Sequence, residues 1–138
     1  MKLMIVGGGK VSYYLIKQLQ HTQAQITVVE FRSEVSVRLA NELDVDVYNG
    51  DGTMRDVLSD AGCKEADVFI ALTGKDENNL VACQLAKHEF GVKTTIAKLN
   101  NPKNKAAFEI YGVDRIYSGT AILAEMIDYE LEFGGLSE

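Results

Sequence analysis

The sequence has no tryptophan, one proline, two cysteines and two histidines in 138 residues, and each scarcity narrows its function. Cys63 and Cys83 form no Cys-x-x-Cys pair and no metal-ligand set, so they are read as reduced, partly buried thiols. His21 and His88 fall near the ends of helical segments, where the helix dipole favours a cation, so neither stands out as a catalytic acid or base. Basic residues are outnumbered, 14 Lys and Arg against 20 Asp and Glu, for a net charge of -6. Nucleic-acid binding needs a basic face, and an acidic surface suits anionic lipid poorly. No stretch approaches the ~20 apolar residues that cross a bilayer, so no direct membrane insertion is expected. Met1 to Val6 is too short for the apolar region of a signal peptide and ends in three glycines. A cytoplasmic location is the expectation.

What is present is a regular alternation. Short β-type runs occur at Leu3–Val6, Ile26–Val29, Val45–Tyr48, Val68–Leu72, Thr94–Leu99 and Arg115–Tyr117. Several are apolar throughout, as in strands covered on both faces. Helical stripes lie between them: Val11, Leu15, Ile16 and Leu19; Val35, Leu39 and Leu43; and a long helix over Asp76–Phe90 that Gly91 ends. Pro102 sits where a first helical turn tolerates proline. The order predicts an α/β fold: a Rossmann-like, doubly wound parallel sheet of about six strands with helices on both faces. A last helix over Thr120–Phe133 follows, with a loose tail to Glu138. The expected division is a nucleotide-binding unit over 1–118 and a C-terminal helix and tail over 119–138.

Gly7-Gly8-Gly9-Lys10-Val11-Ser12 follows the first strand and opens the first helix, the context a dinucleotide fingerprint requires. Gly7 allows the tight turn, Gly9 lets backbone approach a pyrophosphate, and the helix N-terminus offers N–H groups and positive charge. Ser12 replaces the third glycine with another small residue, and Lys10 can add charge. Alone the loop can also be a plain β–α turn. Glu30 ends the second strand 23 positions after Gly7, close to the ~20 expected of an acid that accepts from ribose hydroxyls. It disfavours a 2′-phosphate, whereas the nearby Arg32 could accept one.

Two more loops follow strand ends, where open α/β sheets bind ligands. In Asn49–Thr53 the glycines let backbone approach a flat ring, and Asp51 can accept from an adenine amino group; the same residues also suit a turn and helix cap. In Thr73–Asn79, Thr73 and Gly74 can line the pyrophosphate or second ribose, while Asp76 reads as the N-cap of the long helix. Lys98 ends the fifth strand on the same side. The expected contacts are Gly7, Gly8, Gly9, Lys10, Val11, Glu30, Phe31, Arg32, Asp51, Gly52, Thr53, Thr73, Gly74 and Lys98, with no catalytic residue and no metal ligand. The expected ligand is NAD(H) or ATP/ADP.

These residues carry a resemblance. Lys2–Val11, the strand ending in Glu30, Gly50–Thr53, Ala66–Ala71, Thr73–Cys83, Ile96–Asn100 and Tyr111–Asp114 together resemble the N-terminal nucleotide-binding (RCK or TrkA-N) domain of potassium-conductance regulators. The resemblance implies a cytoplasmic regulatory subunit, peripheral at the inner face of the membrane through its partner, a transmembrane potassium transporter or channel subunit. It implies a homo-oligomer, a dimer that can build an octameric ring, in which nucleotide exchange reshapes the ring and gates the pore. It places phosphate at Gly7–Val11 and Lys98, ribose at Glu30, adenine near Asp51–Thr53 and the far side at Thr73 and Gly74. Thr120–Phe133, with Ile122, Leu123, Met126, Ile127 and Leu131, resembles the helix that family members exchange or pack across the dimer. Ser118-Gly119-Thr120 lacks the glutamate that helps hold a cation in some members, and Lys98 stands where arginine is common. The competing readings are a fragment of an NAD-dependent oxidoreductase, for which this chain leaves no room for a substrate domain, and a redox sensor unconnected with potassium.

Overall fold

The computed structural model describes residues 1–136; of the expected tail, Ser137 and Glu138 lie outside them. Six strands alternate with six helices: β1 (Lys2–Val6), α1 (Lys10–Leu19), β2 (Gln25–Glu30), α2 (Ser33–Glu42), β3 (Asp46–Asn49), α3 (Arg55–Asp60), β4 (Val68–Ala71), α4 (Asp76–Gln84), β5 (Thr94–Leu99), α5 (Lys105–Ile110), β6 (Arg115–Ser118) and α6 (Gly119–Phe133). All strand pairs are parallel, in the order β3-β2-β1-β4-β5-β6. This is the Rossmann-like doubly wound sheet, and its order reverses between β1 and β4.

The alternation within β1 explains the two-sided burial. Met4 and Val6 face one core with Leu58 of α3, Cys83 of α4 and Phe108 of α5. Leu3 and Ile5 face the other with Ile16 of α1 and Val35 and Leu39 of α2. Successive side chains of a strand point to opposite faces, so a strand buried on both must be apolar throughout. Consecutive crossovers leave β1 and β4 toward opposite faces, which opens a crevice above their C-terminal ends.

Four local readings change. The long helix is α-helical only to Gln84; Leu85–Glu89 forms a π turn closed by Phe90 N–H on the Leu85 carbonyl at 3.3 Å. The wider turn keeps Ala86 in the core and brings the Phe90 ring centroid to 5.9 Å from the Arg55 guanidinium. Cys63 and Cys83 are buried, not partly so, and burial pushes both thiols up to about 12, so they stay protonated at neutral pH. His21 lies beyond the end of α1, exposed. Val11 is half-exposed at the crevice, whereas Ile16 of its stripe is buried and Leu15 and Leu19 partly so.

The C-terminal helix folds onto neither layer. No residue of α6 is buried, and Leu123, Met126, Ile127, Leu131 and Phe133 are all exposed. On the α1 side the sheet is only partly covered beyond β4: Ile96 of β5 is half-buried, and Arg115 and Tyr117 of β6 are exposed.

Candidate functional site

The glycine loop divides its labour. Gly7 has φ +103°, and a Cβ there would lie 3.0 Å from the Leu72 carbonyl carbon and the Thr73 nitrogen. Both the left-handed backbone and the contact with the β4 loop demand glycine. Gly9 is extended, and its Cβ position meets nothing within 4 Å. Its backbone can therefore be approached closely. No side chain caps α1, so the N–H groups of its first turn keep their capacity and the positive end of the dipole faces the crevice. Ser12 is fully buried and donates from Oγ to the Gly7 carbonyl. It fills the third glycine's place and ties the helix to the turn.

Gly8 is turned the other way. A Cβ there would press on Leu39 Cδ1 at 2.5 Å, and its N–H donates to Glu30 Oε1 at 2.6 Å. Glu30 is only 3% exposed at the end of β2. Its Oε2 accepts from the Arg32 N–H at 2.6 Å and Nε at 3.0 Å, and its Oε1 also accepts from Arg32 Nη2 at 3.2 Å. Burial pushes the carboxyl's pKa up, but the Arg32 guanidinium and the Arg32 and Gly8 N–H groups outweigh it and hold it below the usual carboxylate range.

The remaining walls are loops fixed by side chains. Asp51 Oδ1 accepts from Thr53 N–H at 2.9 Å and Thr53 Oγ1 at 2.7 Å, an Asx turn. α3 starts later, at Arg55, so Asp51 is not its cap. A Cβ on Gly52 would collide with Val6 Cγ1. Asn79 of α4 is fully buried; its Oδ1 accepts from Thr73 N–H at 2.9 Å, and its amide donates to the Thr73 and Lys98 carbonyls at 3.1 and 3.0 Å. It fastens the β4 loop to the end of β5. Asp76 is not the N-cap of α4 but its first residue. Its carboxylate accepts from the Asn100 and Asn101 N–H groups at 2.6 and 2.8 Å and from Asn104 Nδ2 at 2.9 Å, clamping the β5–α5 loop.

Asp76 and Asp114 share the pattern of Glu30. Burial raises each pKa, and stronger donors, the asparagines for Asp76 and Lys87 with Thr95 for Asp114, lower it further. A carboxylate depressed in the folded state stabilises it above the ordinary value, near 4, and that contribution is lost as pH falls through the folded value. Thermal melts should therefore give a level Tm from pH 7 to about 5 and a steep fall below about 4. A Tm insensitive to acid would contradict the role given to these carboxylates.

Together these parts line a cleft of about 560 Å³ above β1 and β4, within the range of small-molecule sites. Every expected contact residue lines it except Gly8. The sequence reading missed Lys75 and Asn78, which also line it, and the buried Asn79 behind it. The one available signal was an asparagine pair in the first turns of α4, directly after a strand-end loop. Lys10, Lys75 and Lys98 give the cleft positive charge, with Glu30 and Asp51 as its acids. Such a lining suits a ligand with phosphates at one end and hydroxyl and amino donors at the other.

Residues 3–119 match the TrkA-N domain family across most of the chain. The chain belongs to that family. One curated relative of this TrkA-N domain, "Trk system potassium uptake protein TrkA homolog" of Methanothermobacter thermautotrophicus, is 36% identical over 118 residues, covering 86% of this chain and 54% of the relative. Another, "Trk system potassium uptake protein TrkA" of Halomonas elongata, is 33% identical over 140 residues, covering 98% of this chain and 31% of the relative. The chain thus spans about half of one relative and about a third of the other. Among solved structures, the TrkA-N domain of the Escherichia coli inner membrane protein ybaL aligns with a TM-score of 0.86 at 17% identity, covering 94% of this chain and 96% of that one. The GsuK channel bound to NAD (TM-score 0.76, 20% identity, 83% of this chain and 21% of that one) and GsuK bound to ADP (0.80, 21%, 95% and 34%) share the fold. No helix among the described residues is long and apolar enough to cross a membrane.

Proposed function

We propose that this TrkA-N domain is a regulatory module of a potassium transport system that binds NAD(H) or ATP/ADP in the cleft and passes the binding on as a change of shape. The observation that carries the reading is the meeting, at one point, of the approachable Gly9 backbone, the uncapped N-terminus of α1 and the buried Glu30. Phosphates would lie on Gly7, Gly9, Lys10 and Val11 with Lys98 opposite. The ribose would lie on Glu30, beside Phe31 and Arg32. The adenine would lie by Asp51, Gly52 and Thr53, and the far end of the ligand by Thr73 and Gly74. The names of the TrkA relatives and the NAD and ADP of the GsuK structures favour this assignment. Regulation rather than turnover fits the potassium-uptake names of the TrkA relatives.

The proposal includes a cytoplasmic position at the inner face of the membrane, held there by a transmembrane potassium transporter or channel subunit. It also includes a homo-oligomer, a dimer that can extend to an octameric ring. In this reading α6, as the unit over 119–138, docks on a second copy, because its apolar residues find no cover among the described residues. Ile127→Asp is expected to convert the dimer to a monomer, halving the mass measured by light scattering while the melting curve of the sheet domain persists. A variant that remained dimeric would remove α6 from the interface. A ligand shifts such an assembly only through unequal affinity for its two shapes.

Calorimetric titration with NADH, NAD, NADP, ATP and ADP tests the nucleotide assignment. Tight binding of a ligand with an unphosphorylated ribose, with NADP weaker, is the expected result. Binding by none of the five would overturn it.

A further inference from the structure

We propose that the Arg32 side chain is a latch on the ribose-binding acid, occupying the acceptor positions of Glu30 that a ribose diol needs. The inference rests on the nucleotide reading above and goes beyond it. A carboxylate offers about four lone-pair positions. On Glu30 all four already have donors: the Gly8 N–H and Arg32 Nη2 on Oε1, and the Arg32 N–H and Nε on Oε2. Two of these donors are backbone groups fixed by the glycine loop and the start of α2. The other two belong to one side chain that is 54% exposed on the wall of the cleft. Two ribose hydroxyls can reach the acid only at the positions those two hold.

The guanidinium is free to leave. Its outer side faces solvent, and the charge of Glu34, in the first turn of α2, also acts on it. Because Arg32 is 54% exposed, solvent screens the pair from that side, and the latch lowers affinity without abolishing it. The apparent dissociation constant rises by the reciprocal of the fraction of molecules in which Arg32 has swung out. Arg32 thereby sets the nucleotide concentration at which the module responds.

The test uses the 138-residue chain and its Arg32→Met variant, which keeps an aliphatic stem and removes every side-chain donor. Each is titrated calorimetrically with ADP and with 2′,3′-dideoxy-ADP, which has no ribose hydroxyl to offer Glu30. The expected result is about three- to tenfold tighter ADP binding by Arg32→Met, with no such gain for dideoxy-ADP. Arg32→Lys, with a single point of contact, should lie between. ADP binding by the variant but not by the parent chain would also support the latch, in its fully closed form. ADP binding that is unchanged or weaker in Arg32→Met overturns the latch and leaves the nucleotide site standing. An equal gain for both ligands overturns it too, since Arg32 would then obstruct the cleft without acting through Glu30. No ADP binding by either chain overturns the nucleotide reading and the latch together.

Discussion

Glu30→Ala should weaken binding of NAD or ADP by about a hundredfold or more. A hydrogen bond to a charged acceptor contributes about 1.5–3 kcal/mol, and the proposed site directs two ribose hydroxyls to this one carboxylate. The side chain is 3% exposed, so little water competes for it. The same substitution also touches the fold, because it removes the acceptor from the Gly8 and Arg32 N–H groups, each at 2.6 Å. A buried donor left without a partner costs about 1–3 kcal/mol, so Tm should fall as well. Glu30→Gln separates the two effects: it keeps the volume and one acceptor while losing the charge. Titration at a temperature where circular dichroism shows both variants folded is the decisive measurement. Affinity equal to the parent chain in Glu30→Ala would remove the ribose from Glu30.

The second large effect is on stability. Gly7→Ala should cost about 2–4 kcal/mol, roughly a 10 °C loss in Tm for a domain of this size. Alanine is strained at φ +103°, and its Cβ would lie 3.0 Å from backbone atoms of Leu72 and Thr73 that cannot rotate away. Relief requires β1 and β4 to shift, and their pairing Val6↔Ala71 lies directly below the loop. Gly9→Ala is the contrasting change. Its backbone is extended and its Cβ meets nothing within 4 Å, so Tm should hold. Nucleotide affinity should nevertheless fall, because the new methyl would stand where phosphate is proposed to approach. Scanning calorimetry with ADP titration checks both. Equal losses of Tm at the two positions would show that neither the φ nor the contact sets them apart.

The unequal legibility of the molecule follows from the range of the interactions involved. The strands were readable because a strand buried on both faces must be apolar at every position, a local rule that Leu3–Val6 of β1 and the whole of β4 obey. The glycine loop was readable because a turn from strand to helix constrains neighbouring residues. The end of the long helix was misread, since the π turn over Leu85–Glu89 keeps the same composition as an α-helix. Asp76 was misread for a related reason. An acid at the start of a helix usually serves that helix, whereas here its partners are Asn100, Asn101 and Asn104, 24 to 28 residues away.

The sequence by itself therefore determined the strand–helix alternation, the doubly wound class, and the presence of a glycine turn and an acid at the right separation. These depend on periodicity and on local backbone sterics, both written in consecutive residues. Only the tertiary structure decided that Gly8 faces inward, that Asn79 fastens two loops, that Arg32 closes on Glu30, and that α6 leaves its apolar residues uncovered. Those outcomes depend on which groups meet once the sheet has formed. A side chain's hydrogen-bonding capacity is fixed by its chemistry, but its partner is set by geometry that no spacing along the chain encodes.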